Sequence, residues 1–180
     1  MSTALFTHPA CLNHETPTGH PEQVARLKVI EAALGHPDFD LLRRVEAPRC
    51  EDVHILLAHT ASYLASIVDL APTTGYRALD ADTHMSVGTL EAAYHAVGAT
   101  VEAVDMVMRG QVKNAFCATR PPGHHAEKDK AMGFCLFGNI AIAAKHALNN
   151  HDLSRVAIVD FDVHHGNGTQ DLIWDDERIL

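Results

Sequence analysis

Apolar positions along the chain recur in two registers. Ala4 to Thr7 is a short apolar run stopped by His8-Pro9, which predicts a first strand running into a polar loop of His, Thr, Pro and Gly that extends to His20 and should stay out of the core. Val24, Leu27, Ile30 and Leu34 then repeat at helical spacing, with Pro21 and Glu22 suited to a first turn and Gly35 to the stop. Thr60 is placed to cap a second helix through Leu70, ended by Pro72. A longer helix is expected from about Ser86 to Arg109, with Gly110 where a left-handed cap is needed. Beyond it the register changes. Asn114 to Thr119 reads as a strand and Asn139 to Leu148 as an Ala-rich helix. Val156 to Val159 is an unbroken apolar run, as in a parallel strand buried on both faces. Strand, helix, strand predicts an α/β domain around a parallel sheet. No repeat or linker divides residues 1–180, so a single domain is expected. Arg178-Ile179-Leu180 reads as the opening of one more strand, which suggests a domain incomplete at its C-terminal end, truncated or nicked.

Composition narrows the function classes. The chain has 180 residues, 47% hydrophobic and 21% charged, as in a globular domain able to bury a core. A formal net charge of -9 argues against nucleic acid or anionic lipid as a partner, because either requires a basic surface. Cys11, Cys50, Cys117 and Cys135 are scattered and form no CxxC pair, which fits reduced thiols and a cytoplasmic protein. No basic leader or membrane-length apolar run is present in the sequence. The 14 histidines raise the prior for metal or proton chemistry, and their placement has to locate it.

Two segments place them. Val156–Val159 runs directly into Asp160-Phe161-Asp162-Val163-His164-His165-Gly166-Asn167-Gly168-Thr169. On extended backbone, side chains two apart share a face, so Asp160, Asp162 and His164 should line up opposite Phe161 and Val163. Ligands of an open parallel sheet bind beyond the carboxyl ends of its strands, where these groups emerge, and carboxylate with imidazole is a donor set suited to zinc. Gly166 and Gly168 let the backbone turn away. An isolated Asp-x-His is usually a solvated strand end. Here, however, Arg120-Pro121-Pro122-Gly123-His124-His125 follows another apolar strand, and two such loops on successive strands make a plain surface role hard to hold. Gly133-Phe134-Cys135 comes next. Its aromatic is either core or one wall of a narrow channel for a long aliphatic group.

RPPGHHA at 120–126, GFCLFGN at 133–139 and VDFDVHHGNGT at 159–169 resemble, in order and spacing, the signature segments of the histone deacetylases and their bacterial deacetylase-like and acetylpolyamine amidohydrolase relatives. Asn167 and the wording from His124 through Phe134 are most similar to the class II branch. The likeness extends to His20-Pro21-Glu22 and to Leu79-Asp80-Ala81-Asp82-Thr83. It implies an arginase/deacetylase-like three-layer sandwich around a central parallel sheet of about eight strands, in agreement with the α/β pattern. It also implies zinc-dependent hydrolysis of acetylated amines, either acetyl-lysine in proteins or small molecules such as acetylpolyamines.

By that resemblance Asp162 and His164 are two of three protein ligands of a catalytic zinc, and His124 and His125 are the tandem pair, with His125 as the general base and acid. Asp160 orients His124, and Asn167 orients His125, supplying geometry without negative charge. Gly133 and Phe134 line the channel, and Asp82 matches an acidic position that hydrogen-bonds the substrate backbone. Potassium is implied around the Asp160 carboxylate and the backbone of Asp160, Asp162 and His164. The family's third zinc ligand, an Asp, and its Tyr or His that stabilises the transition state fall after Leu180. Asp171, Asp175 and Asp176 are poor substitutes, because they follow the turn in a solvated helical stretch. Residues 1–180 alone are therefore expected to bind zinc weakly and catalyse little unless another segment completes them, and the expected protein partner is a complementing C-terminal segment or, in a homo-oligomer, a second copy of the chain. Two other classes compete. One is a catalytically silent binding module, disfavoured by the intact His and Asp set. The other is a manganese hydrolase of the same fold, disfavoured because two bridged metals call for more carboxylates.

Overall fold

The computed structural model describes residues 2–180. In chain order the elements are β1 (Thr3–Thr7), α1 (Val24–Leu34), β2 (Arg43–Glu46), α2 (Asp52–Ile55), α3 (Ala61–Leu70), β3 (Tyr76–Ala78), β4 (His84–Ser86), α4 (Thr89–Met108), β5 (Asn114–Cys117), α5 (Asn139–Asn150) and α6 (Asn167–Ile173). Strands β2, β1 and β5 lie side by side in that order, all parallel, and β3 pairs antiparallel with β4 in a separate ribbon.

The pleat of β1 divides the core between two faces of the sheet. Ala4 and Phe6 point to one face, where they pack with Ala99, Ala103 and Met106 of α4 and with Val112. Leu5 points to the other, against Cys11, Leu27 of α1 and Ala118. Helix, sheet, helix is the three-layer arrangement that the resemblance implies and that agrees with the α/β pattern. Helix α5 packs beside α4, and a larger cluster of Ile55, Tyr63, Leu64, Ile67, Tyr94, Val97, Phe137 and Ile142 joins them to α2 and α3. Thr60 caps α3 by accepting from the Tyr63 backbone N–H at 3.2 Å, and Gly110 follows α4 at φ 68°. No helix among the described residues is long and apolar enough to cross a membrane.

Three expectations need correction. Helix α1 begins at Val24, after Pro21 and Glu22, because the Glu22 side chain turns inward to an arginine instead of joining an exposed first turn. The loop ahead of it is not excluded from the core: His14 and Glu22 are each 1% exposed, since Glu22 pairs with Arg120 and His14 Nδ1 bonds Thr89 Oγ1. Val156–Val159 is extended but not buried on both faces. It pairs with Arg178–Leu180 through Val156 opposite Ile179, while Val159 is 83% exposed. A cavity of about 430 Å³ separates this segment from the end of β5, so no strand described here covers that edge.

Candidate active site

The chain leaves β5 and reaches Arg120, whose side chain is anchored beneath the loop that follows. Its Nε and Nη2 donate to the two carboxylate oxygens of Glu22 at 2.5 Å each, and Nη1 donates to the carbonyls of Cys11 and His14 at 3.0 Å. Burial pushes the Glu22 carboxyl up, but contacts from His14 and the Arg120 guanidinium outweigh it and hold the group at about 2. His14 is bonded through Nδ1 to Thr89 Oγ1 at 2.7 Å, and its Nε2 stands 3.4 Å from Glu22. This buried bidentate pair ties the loop after β5 to the segment before α1. The Arg120-Pro121 peptide is cis, and the Pro121 carbonyl accepts from Asn139 Nδ2 at the start of α5.

His124 and His125 follow with ring centroids 4.0 Å apart. His124 Nδ1 is 2.9 Å from Asp160 Oδ2, and His125 Nδ1 is 2.6 Å from Asn167 Oδ1. The Asn167 amide nitrogen donates to Glu127 Oε1 at 2.8 Å and approaches Met132 Sδ at 3.4 Å. Reversing that amide would set its oxygen against the Glu127 carboxylate, so the network fixes Asn167 Oδ1 as the atom facing His125. His125 must then donate from Nδ1, and in its neutral form it carries a free lone pair on Nε2. The Asp160 carboxyl is pushed up by burial, but hydrogen bonds from His124 and from the Asp162 backbone N–H bring it below its ordinary value.

The opposing loop is open. Asp160 Oδ1 accepts from the Asp162 N–H at 3.1 Å, and Asp162 Oδ1 accepts from the His164 N–H at 2.8 Å, so each carboxylate braces the backbone two residues on. His164 Nδ1 lies 2.9 Å from Asp162 Oδ1. The side chains of Asp162 and His164 are 49% and 72% exposed. Hydrogen bonds from the His164 backbone and imidazole lower the Asp162 carboxyl. Phe161 and Val163 point away from them into solvent. The glycines after this loop act by close approach and not by turning: Gly166 and Gly168 serve as the cap and an early residue of α6. A side chain at Gly168 would strike the Ala126 carbonyl at 2.3 Å.

A cleft of about 440 Å³ gathers the expected residues, with Asp82, His124, His125, Gly133, Phe134, Asp162 and His164 on its wall. Gly133 has φ 55°, and a Cβ there would lie 2.4 Å from the His125 ring. Phe134 follows at φ 69°, held by its N–H to Thr83 Oγ1 at 3.0 Å and by the His20 ring at 4.7 Å. Asp82 receives Thr83 Oγ1 on its side chain at 3.2 Å and His20 Nε2 on its carbonyl at 2.8 Å. Asp160 and Asn167 stand behind the two histidines, off the cleft wall. Asp171 accepts from the Lys128 N–H and Asp176 pairs with Arg178, so neither carboxylate turns toward the cleft.

Sequence reasoning missed the supports. Glu22 and Arg120 both stand in quoted segments, yet nothing in a linear pattern shows that they meet across 98 positions. His59 is buried and accepts the Gly138 N–H on Nε2 at 2.9 Å, so it donates from Nδ1 to the Lys128 carbonyl at 3.1 Å. It thereby pins both ends of the segment carrying Gly133 and Phe134. Burial, partly offset by its backbone hydrogen bonds, lowers its affinity for a second proton.

The donor chemistry of the open loop suits zinc. The Asp162 and His164 ligand atoms, 2.9 Å apart, need only a small separation to reach the ~3.3 Å that two bonds of 2.0–2.1 Å subtend at a tetrahedral centre. Among the described residues no third His, Cys, Asp or Glu converges with them.

Comparison with known proteins agrees with this geometry. The histone deacetylase-like amidohydrolase of Pseudomonas aeruginosa is 38% identical over 96% of this chain and 44% of its own. The polyamine deacetylase HDAC10 of Danio rerio is 36% identical over 98% of this chain and 26% of its own. The crystal structure of the HDA15 HD domain superposes with a TM-score of 0.93 at 31% identity, covering all of this chain and 53% of that one. The chain thus spans about half or less of the proteins it matches, and its fold is that of the deacetylase domain, an arginase/deacetylase-like sandwich. The family described as "Histone deacetylase domain" matches residues 20–180, and the chain belongs to the histone deacetylase family.

Proposed function

We propose that these residues form one part of the active site of a zinc-dependent deacetylase that hydrolyses the amide of an acetylated amine. The observation that carries this reading is the convergence on one cleft of a tandem histidine pair and an Asp-His donor pair. Asp162 and His164 would hold zinc, which when bound polarises the substrate carbonyl and acidifies water. They fill two positions of a tetrahedral site, so the complete protein must supply what remains. His125, with Asn167 holding Nδ1, is left with Nε2 to take a proton from water and return it to the leaving amine. His124, backed by the Asp160 carboxylate, is suited to the charged form and stabilises negative charge on the tetrahedral intermediate. Asp160 together with backbone oxygens of Asp162 and His164 would also take a potassium ion, stiffening the loop. Phe134 and Gly133 form an apolar wall against which an aliphatic amine chain can lie, and Asp82 at the rim can accept from a substrate N–H.

The substrate class is an N-acetyl group on a flexible aliphatic amine, either acetyl-lysine or an acetylpolyamine. The relatives named as a deacetylase-like amidohydrolase and as a polyamine deacetylase support that class without choosing within it. In the complete protein, His125→Ala should lower turnover of a fluorogenic acetyl-lysine peptide by about 10²–10⁴-fold while zinc content is retained. Near-normal turnover would overturn the base assignment. Asp162→Ala should lower the zinc content by one equivalent per chain in elemental analysis. A hydroxamate should inhibit by chelation, and indifference to it would favour a silent binding module instead.

A further inference from the structure

A second cluster of metal-ligating side chains lies away from the cleft, where α4 meets the end of α5. Asp105 of α4, His146 of α5 and His151, the C-terminal cap of α5, bring one ligand atom each to within 4.8 Å of one another. None of the three lines the cleft described above. Both imidazoles reach the same atom: His146 Nε2 is 2.7 Å and His151 Nε2 is 2.6 Å from Asp105 Oδ1. The second carboxylate oxygen, Oδ2, accepts from Arg109 at 2.9 Å, which sets the carboxylate with Oδ1 toward the histidines. Side-chain exposure is 14% for Asp105, 4% for His146 and 15% for His151, so the cluster is sheltered but still open on one side. The His54 ring stands edge-on to His146 at 5.6 Å and lies outside the converging set.

We propose that Asp105, His146 and His151 form a binding site for a divalent cation of the zinc class, separate from the catalytic centre. Two imidazole nitrogens with one carboxylate oxygen is a borderline donor set that suits zinc, nickel or copper and not calcium or magnesium, which prefer all-oxygen ligands. The three atoms already converge on a point. Retreat of each by a fraction of an ångström opens the ~3.3 Å spacing that bonds of 2.0–2.1 Å require, and water fills the open side. Without metal each Nε2 donates its hydrogen to Asp105 Oδ1, so binding requires that hydrogen to leave Nε2, by transfer to Nδ1 or by release to water. The Arg109 guanidinium is a like charge beside the site. It is 54% exposed, which screens its repulsion, and it holds the carboxylate in place as partners behind metal ligands do. A bound ion would clip α4 to the end of α5, five residues ahead of Val156, and so brace the segment that leads into Asp160 and Asp162.

The test uses the full chain carrying Asp162→Ala and His164→Ala, which removes the other zinc donors. Equilibrium dialysis against zinc should still find one equivalent per chain, and Tm should rise by about 5 °C at roughly a hundredfold excess of zinc over Kd. Adding His151→Gln, at the helix cap, should weaken binding at least about tenfold and cut the Tm shift to about half or less at the same zinc concentration. His146→Gln should do the same, and His151→Gln keeps the question decidable if the more buried substitution impairs folding. His36→Gln, at an exposed histidine, should change neither. Absence of zinc binding in the starting background, or binding unaffected by His151→Gln, would show that the cluster is only a hydrogen-bonded pin between two helices and overturn the proposal.

Discussion

The two histidine loops of the cleft begin alike in sequence, each leaving an apolar run, yet they are held in opposite ways. The loop at 120–126 rests on a buried ion pair, with Glu22 and Arg120 at 1% and 5% side-chain exposure. The loop at 160–164 rests on its own backbone turns, with Asp162 and His164 largely in solvent. The His124-His125 side of the cleft is therefore preorganised by tertiary contacts, whereas the Asp162-His164 side is shaped mainly by its own turns and left open. Catalysis by positioned groups needs the first kind of support, and a ligand that binds tightly can supply the second kind itself.

The sharpest way to break that contrast is to remove the buried pair. Glu22→Gln leaves the Arg120 guanidinium buried without its counter-charge, which should cost about 3–5 kcal/mol in urea unfolding. A loss under about 1 kcal/mol would mean that the loop is not anchored as described. The same pair sets acid stability. Glu22 is held at about 2 in the folded chain against an ordinary value of 4.5. Its contribution is thus fully present above about pH 4.5 and is lost as pH falls toward 2, because the unfolded chain takes up the proton first. Glu22→Gln should flatten that limb of the stability profile.

The fold was legible where local patterns decide it. The Thr60 cap, the α4 stretch ending before Gly110 and the apolar run of β1 stopped at His8-Pro9 all follow from short-range rules, and all are seen. Of the candidate site, what was legible is that motif spacing brings His124, His125, Asp162 and His164 to the ends of apolar runs, and the structure gathers these four on one cleft. What escaped is long-range. His14 and Glu22 sit in a loop of polar composition, and only a partner at Arg120 makes their burial tolerable. Exposure of Val159 was equally invisible, since an apolar run does not say which neighbouring strands cover it.

A smaller effect tests the wall between the loops. Gly133→Ala puts a Cβ into the His125 ring at a backbone angle that favours glycine, so it should cost about 1–3 kcal/mol and displace the ring. Nuclear magnetic resonance of the His125 imidazole would register the displacement, and an unchanged ring environment would contradict the close packing. His59→Ala should cost a similar 1–3 kcal/mol, because the Gly138 N–H loses its acceptor. Burial lowers the proton affinity of His59. The unfolded chain therefore binds a proton first as pH drops through about 6.5, and wild-type stability should decline there while the alanine variant does not follow.

The smallest effect is the most telling for the open loop. Asp162→Asn and His164→Gln remove no buried contact, because both side chains are largely exposed and their hydrogen bonds are to one another and to the His164 N–H. Without metal, the urea midpoint of either variant should match that of the parent chain. With zinc present in the complete protein, the parent should gain more thermal stability than either variant, which keeps only the gain from the site at Asp105, His146 and His151, since binding to the folded state alone raises Tm. If the metal-free variants already unfold early, the loop carries structural weight of its own, and the division between a preorganised half and a ligand-shaped half does not hold.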